Sequence, residues 1–428
     1  MTAPLTHGLW HATAAPAPQS TPLADHIEAD VAVVGAGYTG LSAALHLAAG
    51  GMRVVVLDAA GVGHGGSGRN VGLVNAGMWV MPAELPRVLG RTHGTRLLDQ
   101  LGRGPELVFA LIERHAIDCQ PVHNGTLHCA PNAQGLDDLR ERARQWRDLG
   151  APVQLLDRTQ TSALIGSGVY RGALLDARAG TIQPLAYARG LAHAAIAQGA
   201  RLYTGSAVLA LDDLGTRWRL RTDTDGAVEA SWVLVATNAY TTPTSVWPQI
   251  DAEMARLPYF NLATPPLPPS LADSILPQRH GAWDTRRILS SMRMDRDRRL
   301  VFGSVGSLRG GGLAVHSAWA RRAISRLFPQ LAGVDFEHAW YGSIGMTDNA
   351  LPRLHRLGRQ IISMSGYNGR GIAPGTVFGR DLARLVLGEI GEADLALPLT
   401  QAAPARWRKT RECVYLAGAQ AAHLIAAR

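Results

Sequence analysis

Glycines recur at fixed spacing near the N-terminus, in a segment whose bare backbone could bind phosphate. A turn of this kind presents free N–H groups to a pyrophosphate, and the missing side chains let the ligand approach closely. A carboxylate follows at Asp58, where it could accept hydrogen bonds from ribose hydroxyls. We therefore predict a dinucleotide site that comprises Asp58, Ala59 and the turn residues Gly35, Ala36, Gly37, Tyr38, Thr39 and Gly40.

The segments on either side of this turn are the elements that must position it. Residues 30–34 are apolar and rich in valine, which is typical of a strand buried on both faces. Residues 39–49 are small and apolar, as in a helix packed tightly on a sheet, and residues 53–58 resemble the first strand. This order predicts a βαβ unit with the glycine turn between its first strand and its helix.

A second glycine-rich loop follows the βαβ unit and bears on the choice between FAD and NAD. Residues 61–72 have the sequence GVGHGGSGRNVG, in which Ser67, Gly68, Arg69 and Asn70 offer hydrogen-bond donors. Such a loop suits a second contact with the diphosphate and a contact with a flavin ring. We therefore expect FAD, while the alternative is that Arg69 is a solvated loop charge.

This loop resembles the ASGRN stretch of the D-amino-acid oxidase superfamily of flavoproteins. The similarity covers nearly the whole chain, including residues 10–14, 233–240, 340–352, 366–371 and 406–408. It is strongest to the gamma-glutamylputrescine oxidoreductase branch, and bacterial L-pipecolate oxidases are similar as well. The resemblance implies an α/β (α+β) fold of the D-amino-acid oxidase/glutathione-reductase type. Such a fold has a Rossmann-like FAD-binding domain and a discontinuous substrate domain with a mixed sheet.

The same resemblance assigns two further segments to the cofactor. In the family, the segment that matches residues 233–240 places backbone on the adenine side. The segment that matches residues 366–371 runs past the pyrimidine end of the flavin. The resemblance therefore implies cofactor contacts from Val208, Ala236, Thr237, Gly369, Arg370, Gly371 and Ile372.

Arg370 and Tyr259 are the candidate catalytic residues. Arginine offers a planar, permanently charged fork that suits a substrate carboxylate or the negative charge of a reduced flavin. The alternative is an arginine that points from its loop to solvent, and the gamma-glutamylputrescine enzymes tend to carry histidine here. Tyr259 could line the substrate pocket or pack in the core. His64 and His355 are weaker candidates for a base, because a lone histidine is more often structural.

The absence of certain residues bears on how the flavin is held and reoxidised. Related sarcosine oxidases attach flavin through a cysteine, and the corresponding residues 288–299 contain none. The resemblance therefore implies non-covalent FAD. Those enzymes also use a lysine to promote reaction with oxygen, whereas Lys409 is the only lysine of this chain. The electron acceptor is left open between oxygen and a respiratory acceptor.

These features predict an enzyme that removes hydride from the carbon next to an amine, giving an imine that water hydrolyses. The expected substrate is a small amino acid or amine, with a cyclic or secondary amino acid such as L-pipecolate preferred. The first alternative is gamma-glutamylputrescine or another long amine, whose carboxylate is remote from the reacting carbon. The second alternative is an accessory electron-transfer flavoprotein.

Chain length and composition predict more than one domain. The chain has 428 residues, of which 46% are hydrophobic and 18% charged, and one compact core rarely holds so many. We expect an FAD-binding domain formed by residues 1–90, 151–239 and 336–428. Residues 91–150 and 240–335 would then form the substrate-binding domain.

Charge and cysteine usage exclude other classes of protein. The formal charge of +8 could suit nucleic acid, but the arginines are scattered without interleaved aromatic residues, so we expect no such partner. Cys119, Cys129 and Cys413 match no zinc or disulfide pattern, which predicts no metal and reduced thiols in a cytoplasmic protein. Residues 31–52 lack charge but are interrupted by glycines, so we expect no transmembrane segment.

Overall fold

The computed structural model describes residues 7–425, which contain both helices and strands. None of the helices in this part of the chain is long and apolar enough to cross a membrane. The helices are α1 (Leu9–Thr13), α2 (Tyr38–Ala49), α3 (Glu84–Gly102), α4 (Gly104–Arg114), α5 (Ala133–Asp148), α6 (Arg158–Ile165), α7 (Pro184–Ala197), α8 (Pro248–Ala252), α9 (Pro269–Ala272), α10 (Gly312–Leu327), α11 (Ile372–Val386) and α12 (Arg408–Ile425).

The strands form two large sheets and one short pair. They are β1 (His26–Val34), β2 (Val54–Asp58), β3 (Leu73–Val74), β4 (Thr126–Ala130), β5 (Val153–Leu156), β6 (Gly172–Asp176), β7 (Gly180–Thr181), β8 (Arg201–Thr204), β9 (Val208–Asp213), β10 (Trp218–Thr222), β11 (Ala227–Val235), β12 (Ala255–Ala263), β13 (Gly281–Asp284), β14 (Ser290–Met294), β15 (Leu300–Val305), β16 (His338–Met346), β17 (Arg353–Gly358) and β18 (Ile361–Ser365).

The first sheet contains the predicted βαβ unit. Its central order is β17-β18-β11-β1-β2-β8, and β1 runs parallel to both β11 and β2. The carboxyl ends of these parallel strands meet at one edge, where ligands bind in open α/β sheets. Helix α2 packs closely against α7 and α11 through small buried residues. At one such contact, a Cβ on Gly379 of α11 would lie only 2.5 Å from the Thr39 carbonyl oxygen, so only glycine fits there.

The second sheet is mixed, in the order β16-β12-β15-β14-β13-β4-β6-β5. Most of its pairs are antiparallel, and β13 pairs with β4 in parallel. A buried cluster joins this sheet to α10 through residues such as Phe260, Phe302 and Ile324. The expected fold class, an α/β protein with a second mixed sheet, is confirmed.

Sheet membership differs from the domain boundaries that the sequence predicts. Strands β5, β6 and β16 lie in the second sheet, although residues 151–239 and 336–428 were expected in the FAD-binding domain. The cause is pairing between distant segments, since β6 pairs with β4 and β16 pairs with β12. The two-domain division stays a proposal, and we place its boundaries so that these three strands belong to the substrate domain.

The residue patterns of three segments predict a strand over residues 201–211, a strand over residues 287–291 and a helix over residues 86–113, and the structure differs from each prediction in extent. The strand expected over residues 201–211 divides into β8 and β9, which pair with different neighbours. The strand expected at residues 287–291 begins later, because the Asp284 carboxylate accepts a hydrogen bond from the Arg286 backbone N–H and forms a turn. The helix expected over residues 86–113 is interrupted at Arg103, which separates α3 from α4.

Candidate active site

A cavity of about 1030 Å³ is lined by residues of both large sheets. It extends from the carboxyl ends of β1 and β2 to residues of β12 and β14. All the cofactor candidates named from the sequence line it except Gly40 and Gly68, and so do the catalytic candidates Arg370 and Tyr259. The tertiary structure therefore brings the separate candidate segments to one site.

The glycine turn between β1 and α2 is too crowded for side chains. Gly35 has φ +111°, and a Cβ there would lie 2.9 Å from the Ala236 carbonyl oxygen. A Cβ on Gly37 would lie 2.9 Å from Ser67 Oγ, and one on Gly40 only 2.0 Å from the Gly35 carbonyl oxygen. Gly40 thus acts through packing behind the turn, while Gly35 and Gly37 leave backbone open to the cavity. This cradle fits a dinucleotide pyrophosphate.

Asp58 ends β2 and binds the backbone around the turn. Its Oδ2 accepts a hydrogen bond from the Ala36 N–H at 2.7 Å, and its Oδ1 accepts from the N–H groups of Ala60 and Gly61 at 2.9 and 2.8 Å. The carboxylate therefore fixes the turn and the start of the next loop. Since each carboxylate oxygen has two lone pairs, a ribose hydroxyl can still bond to it.

The second glycine-rich loop is held to the turn by its own side chains. Ser67 Oγ accepts a hydrogen bond from the Tyr38 N–H at 3.1 Å. Asn70 Nδ2 donates to the Ser67 carbonyl at 3.0 Å, and Arg69 Nε donates to the His64 carbonyl at 2.7 Å. These bonds shape the loop, so contacts of Ser67, Arg69 and Asn70 with the cofactor stay predictions.

Arg370 belongs to residues 366–371, the last loop predicted to contact the cofactor, and its side chain lies next to Trp283 of the second sheet. The side chain is buried, and its Cζ lies 4.7 Å from the Trp79 ring centre and 5.6 Å from that of Trp283. Its Nη1 donates to the Ala76 carbonyl at 2.9 Å, whereas its Nε is buried without a hydrogen-bond partner. Burial, with Arg142 nearby, lowers the pKa of Arg370 to about 9, so the guanidinium is charged at neutral pH.

Four residues near Arg370 line the cavity but were not predicted from the sequence: Trp79, His128, Arg142 and Trp283. His128 stacks on Trp283 with ring centres 4.8 Å apart, and burial holds the pKa of His128 well below its ordinary value. Arg142 Nη2 donates to the Trp79 carbonyl at 2.6 Å. These residues come from distant parts of the chain, and no local spacing in the sequence could have indicated them.

The remaining candidate side chains have different surroundings. Tyr259 lines the cavity and its hydroxyl lies 2.7 Å from Ser291 Oγ, while burial raises its pKa, so the hydroxyl is protonated at neutral pH. His64 also lines the cavity. His355 does not, because it is buried against Glu253 with Nε2 2.5 Å from Oε2, which fits the structural role expected of it.

Neither a cysteine nor a metal-binding cluster contributes to the cavity wall. Cys119 and Cys129 are buried elsewhere and Cys413 is exposed on α12. Within the described part of the chain, no group of three or more His, Cys, Asp or Glu side chains is arranged to hold a metal ion.

A βαβ turn whose backbone is open to a dinucleotide, facing a second sheet across a large cavity, is the arrangement expected of a flavin-dependent oxidoreductase. The DAO family, described as FAD dependent oxidoreductase, matches residues 30–385, and this chain belongs to that family. The protein is therefore an FAD-dependent enzyme that acts on amino acids or amines, as expected from its sequence.

Known proteins similar to this chain agree with that assignment. Gamma-glutamylputrescine oxidoreductase of Escherichia coli K12 is 35% identical over 390 residues, covering 87% of each chain. A probable oxidoreductase, OrdL, of Haemophilus influenzae is 33% identical over 375 residues, covering 87% of this chain and 86% of its own. The crystal structure of glycine oxidase from Geobacillus kaustophilus superposes with a TM-score of 0.70 at 23% identity, covering 87% of this chain and 98% of that one.

Proposed function

We propose that this enzyme oxidises the C–N bond of a small amino acid whose carboxylate is bound by Arg370. The observation that carries the proposal is a buried, charged guanidinium on the cavity wall that donates to a backbone carbonyl and lies beside two tryptophan rings. Within residues 7–425 no carboxylate forms an ion pair with it, and Asp176 acts on it only from a longer distance. A buried cation without a counter-charge is costly, and an anionic ligand group would relieve that cost. A carboxylate matches the planar fork of arginine.

The walls around Arg370 support a compact, partly apolar substrate. Trp79 and Trp283 flank the guanidinium, and Leu139 and Ile344 line the same cavity. Such walls favour hydrocarbon next to the carboxylate. A cyclic or secondary amino acid such as L-pipecolate combines both features, and it is our preferred substrate.

The reaction of such a substrate converts a C–N single bond into C=N. When bound, FAD would supply the oxidant for this step, so that the carbon loses a hydride while the amine nitrogen loses its proton to solvent. Arg370 would orient the substrate through its carboxylate, and the protonated Tyr259 hydroxyl could donate a hydrogen bond to it. Water then hydrolyses the imine, and oxygen or a respiratory acceptor takes the two electrons.

The second candidate substrate is gamma-glutamylputrescine. The 35% identity to an enzyme of that name favours it. In this long amine the carboxylate is remote from the reacting carbon, so Arg370 would anchor the far end of the substrate. The two candidates therefore differ in where the anion lies relative to the carbon that is oxidised.

Anaerobic flavin reduction tests the proposal directly. The holoenzyme is mixed with L-pipecolate, L-proline, gamma-glutamylputrescine or putrescine, and loss of flavin absorbance is followed. We expect the fastest reduction with L-pipecolate or another small α-amino acid and little with putrescine. Faster reduction by gamma-glutamylputrescine would establish the second candidate. No reduction by any amine would favour an accessory role in electron transfer.

A further inference from the structure

The C-terminal helix α12 lies on the surface with its apolar side turned to solvent. Its inward side packs on β12 and α10, where Ala419 and His423 are buried. The outward side is formed by residues three or four positions apart, which share one side of a helix. We call these residues, with the exposed tryptophan before the helix, the C-terminal face: Trp407, Cys413, Val414, Ala417, Ala421, Leu424 and Ile425.

Large exposed hydrophobic side chains are concentrated on this face. Trp407 is 75% exposed, Val414 61% and Ile425 71%, with Leu424 exposed beside them, while Leu416 is exposed on the flank of α12. The others in residues 7–425 are scattered over separate elements. Scattered apolar residues are normal on a protein surface, whereas a contiguous group marks a surface that binds something.

Cations lie at both ends of the C-terminal face. Arg406 and Lys409 are exposed at its N-terminal end. At the other end, exposed Arg322 of α10 donates to the His423 carbonyl at 3.2 Å. The one acidic residue of α12, Glu412, turns inward, where its Oε1 accepts from the Arg256 N–H at 2.9 Å and from Arg408 Nε at 3.3 Å.

We propose that the C-terminal face docks on an anionic membrane surface. An apolar strip with tryptophan at one end and cations at both ends fits the boundary between acyl chains and anionic headgroups. A second copy of the chain fits less well, because a two-fold contact between these faces would set Arg406, Lys409 and Arg322 against like charges in either helix direction. The inference goes beyond the proposed oxidation, since it concerns where the enzyme lies.

Vesicle flotation of the holoenzyme tests this docking. The probes are vesicles of phosphatidylcholine alone and vesicles with added phosphatidylglycerol. We expect the protein to float with the anionic vesicles only, and Val414→Glu with Ile425→Glu to lower the bound fraction about tenfold. Lys409→Glu should also weaken binding. The matched control is Leu149→Glu, since Leu149 is 54% exposed at the end of α5 and away from the face.

Light scattering and the flavin spectrum keep the outcomes distinct. A normal flavin spectrum and amine oxidation in Val414→Glu with Ile425→Glu would show that the variant is folded. The proposal is overturned if the wild-type protein does not bind anionic vesicles. It is also overturned if the Val414→Glu with Ile425→Glu, Lys409→Glu and Leu149→Glu variants all bind them equally. It is also overturned if the glutamates instead convert a dimer to a monomer, which would identify a second copy as the occupant. If the wild-type protein oxidises no amine, the result contradicts the proposed function and leaves the docking proposal unaffected.

Discussion

At the scale of single residues, Arg370 presents the sharpest chemical question in the cavity. Its guanidinium is buried between two tryptophans and keeps its charge at neutral pH. If it binds the substrate carboxylate, Arg370→Ala should slow flavin reduction by the best amino acid by roughly 2–5 kcal/mol of lost stabilisation. A neutral analogue without the carboxylate should hardly change, because it never used the fork.

Stopped-flow flavin reduction with both substrates measures this effect. If Arg370 instead stabilises reduced flavin, both substrates should slow and the flavin potential should fall. Arg287→Ala is the matched control, since Arg287 lines the same cavity but is exposed. Unchanged rates and potential in Arg370→Ala would contradict both roles.

Asp58 has two duties that a pair of measurements can separate. It accepts hydrogen bonds from Ala36, Ala60 and Gly61, and it is the predicted ribose ligand. Asp58→Ala should weaken FAD binding, since each charge-assisted bond contributes roughly 1.5–3 kcal/mol. Because the backbone bonds exist without ligand, the apoprotein should also unfold at lower temperature.

Titration of the apoprotein with FAD and thermal unfolding without FAD give the two readouts. A ribose contact is supported if the free energy of FAD binding falls by more than the free energy of unfolding of the apoprotein. An Asp58→Ala protein that retains FAD through dialysis as well as the wild type would show that the ribose role is wrong.

At the scale of elements, helix α2 is positioned by a glycine that never reaches the cavity. A Cβ at position 40 would lie 2.0 Å from the Gly35 carbonyl oxygen and 3.1 Å from Val33 Cγ1. Gly40→Ala should therefore displace the start of α2. We expect the free energy of unfolding to fall by about 1–3 kcal/mol and FAD binding to become weaker.

Denaturant unfolding and FAD titration check this prediction. Gly418→Ala is the control, because a Cβ on Gly418 of α12 would have no other atom within 4 Å. That substitution should gain about 0.5–1 kcal/mol from helix propensity. Equal effects of the two substitutions would contradict the packing explanation.

The contact between α10 and α12 should depend on pH. His316 Nδ1 and His423 Nδ1 lie 2.8 Å apart, and Trp319 stacks on His423. Burial lowers the pKa of His316 to about 4 and that of His423 to about 3, and Arg322 nearby also lowers the latter. Since the unfolded chain protonates first, this stability is complete above pH 6.5 and is lost as pH falls towards 4.

Thermal unfolding between about pH 7.5 and about pH 4.5 measures the loss of stability. His423→Gln removes one of the two protons involved, so it should be less stable at the higher pH but lose less stability on acidification. An identical pH dependence in the variant and the wild type would show that the histidine pair does not contribute.

At the scale of the whole molecule, we predict one non-covalent FAD per chain. None of the three cysteines lines the cavity, so none is placed to form a thioether with the flavin. Acid precipitation should leave the yellow colour in the supernatant, at one equivalent by absorbance. Colour that stays in the pellet after washing would show covalent attachment through another side chain.

Short-range patterns in the sequence predicted the βαβ unit and the glycine turn, and together with the family resemblance they predicted FAD. These features depend on residues that are close along the chain, so spacing and residue type carried the prediction. Positions 35, 37 and 40 must lack side chains where β1 leads into α2, and Asp58 must stand at the end of β2. Local patterns of this kind can be recognised in the sequence because the residues that form them are close along the chain.

The substrate end of the cavity and the membership of the second sheet, in contrast, were settled by tertiary packing. Arg370, His128 and Trp283 meet although a turn before α11 and two strands of the second sheet carry them. Strands β5, β6 and β16 join that sheet through partners distant in sequence. Pairing and burial between distant segments depend on how the whole chain packs, and no pattern within one segment specifies them.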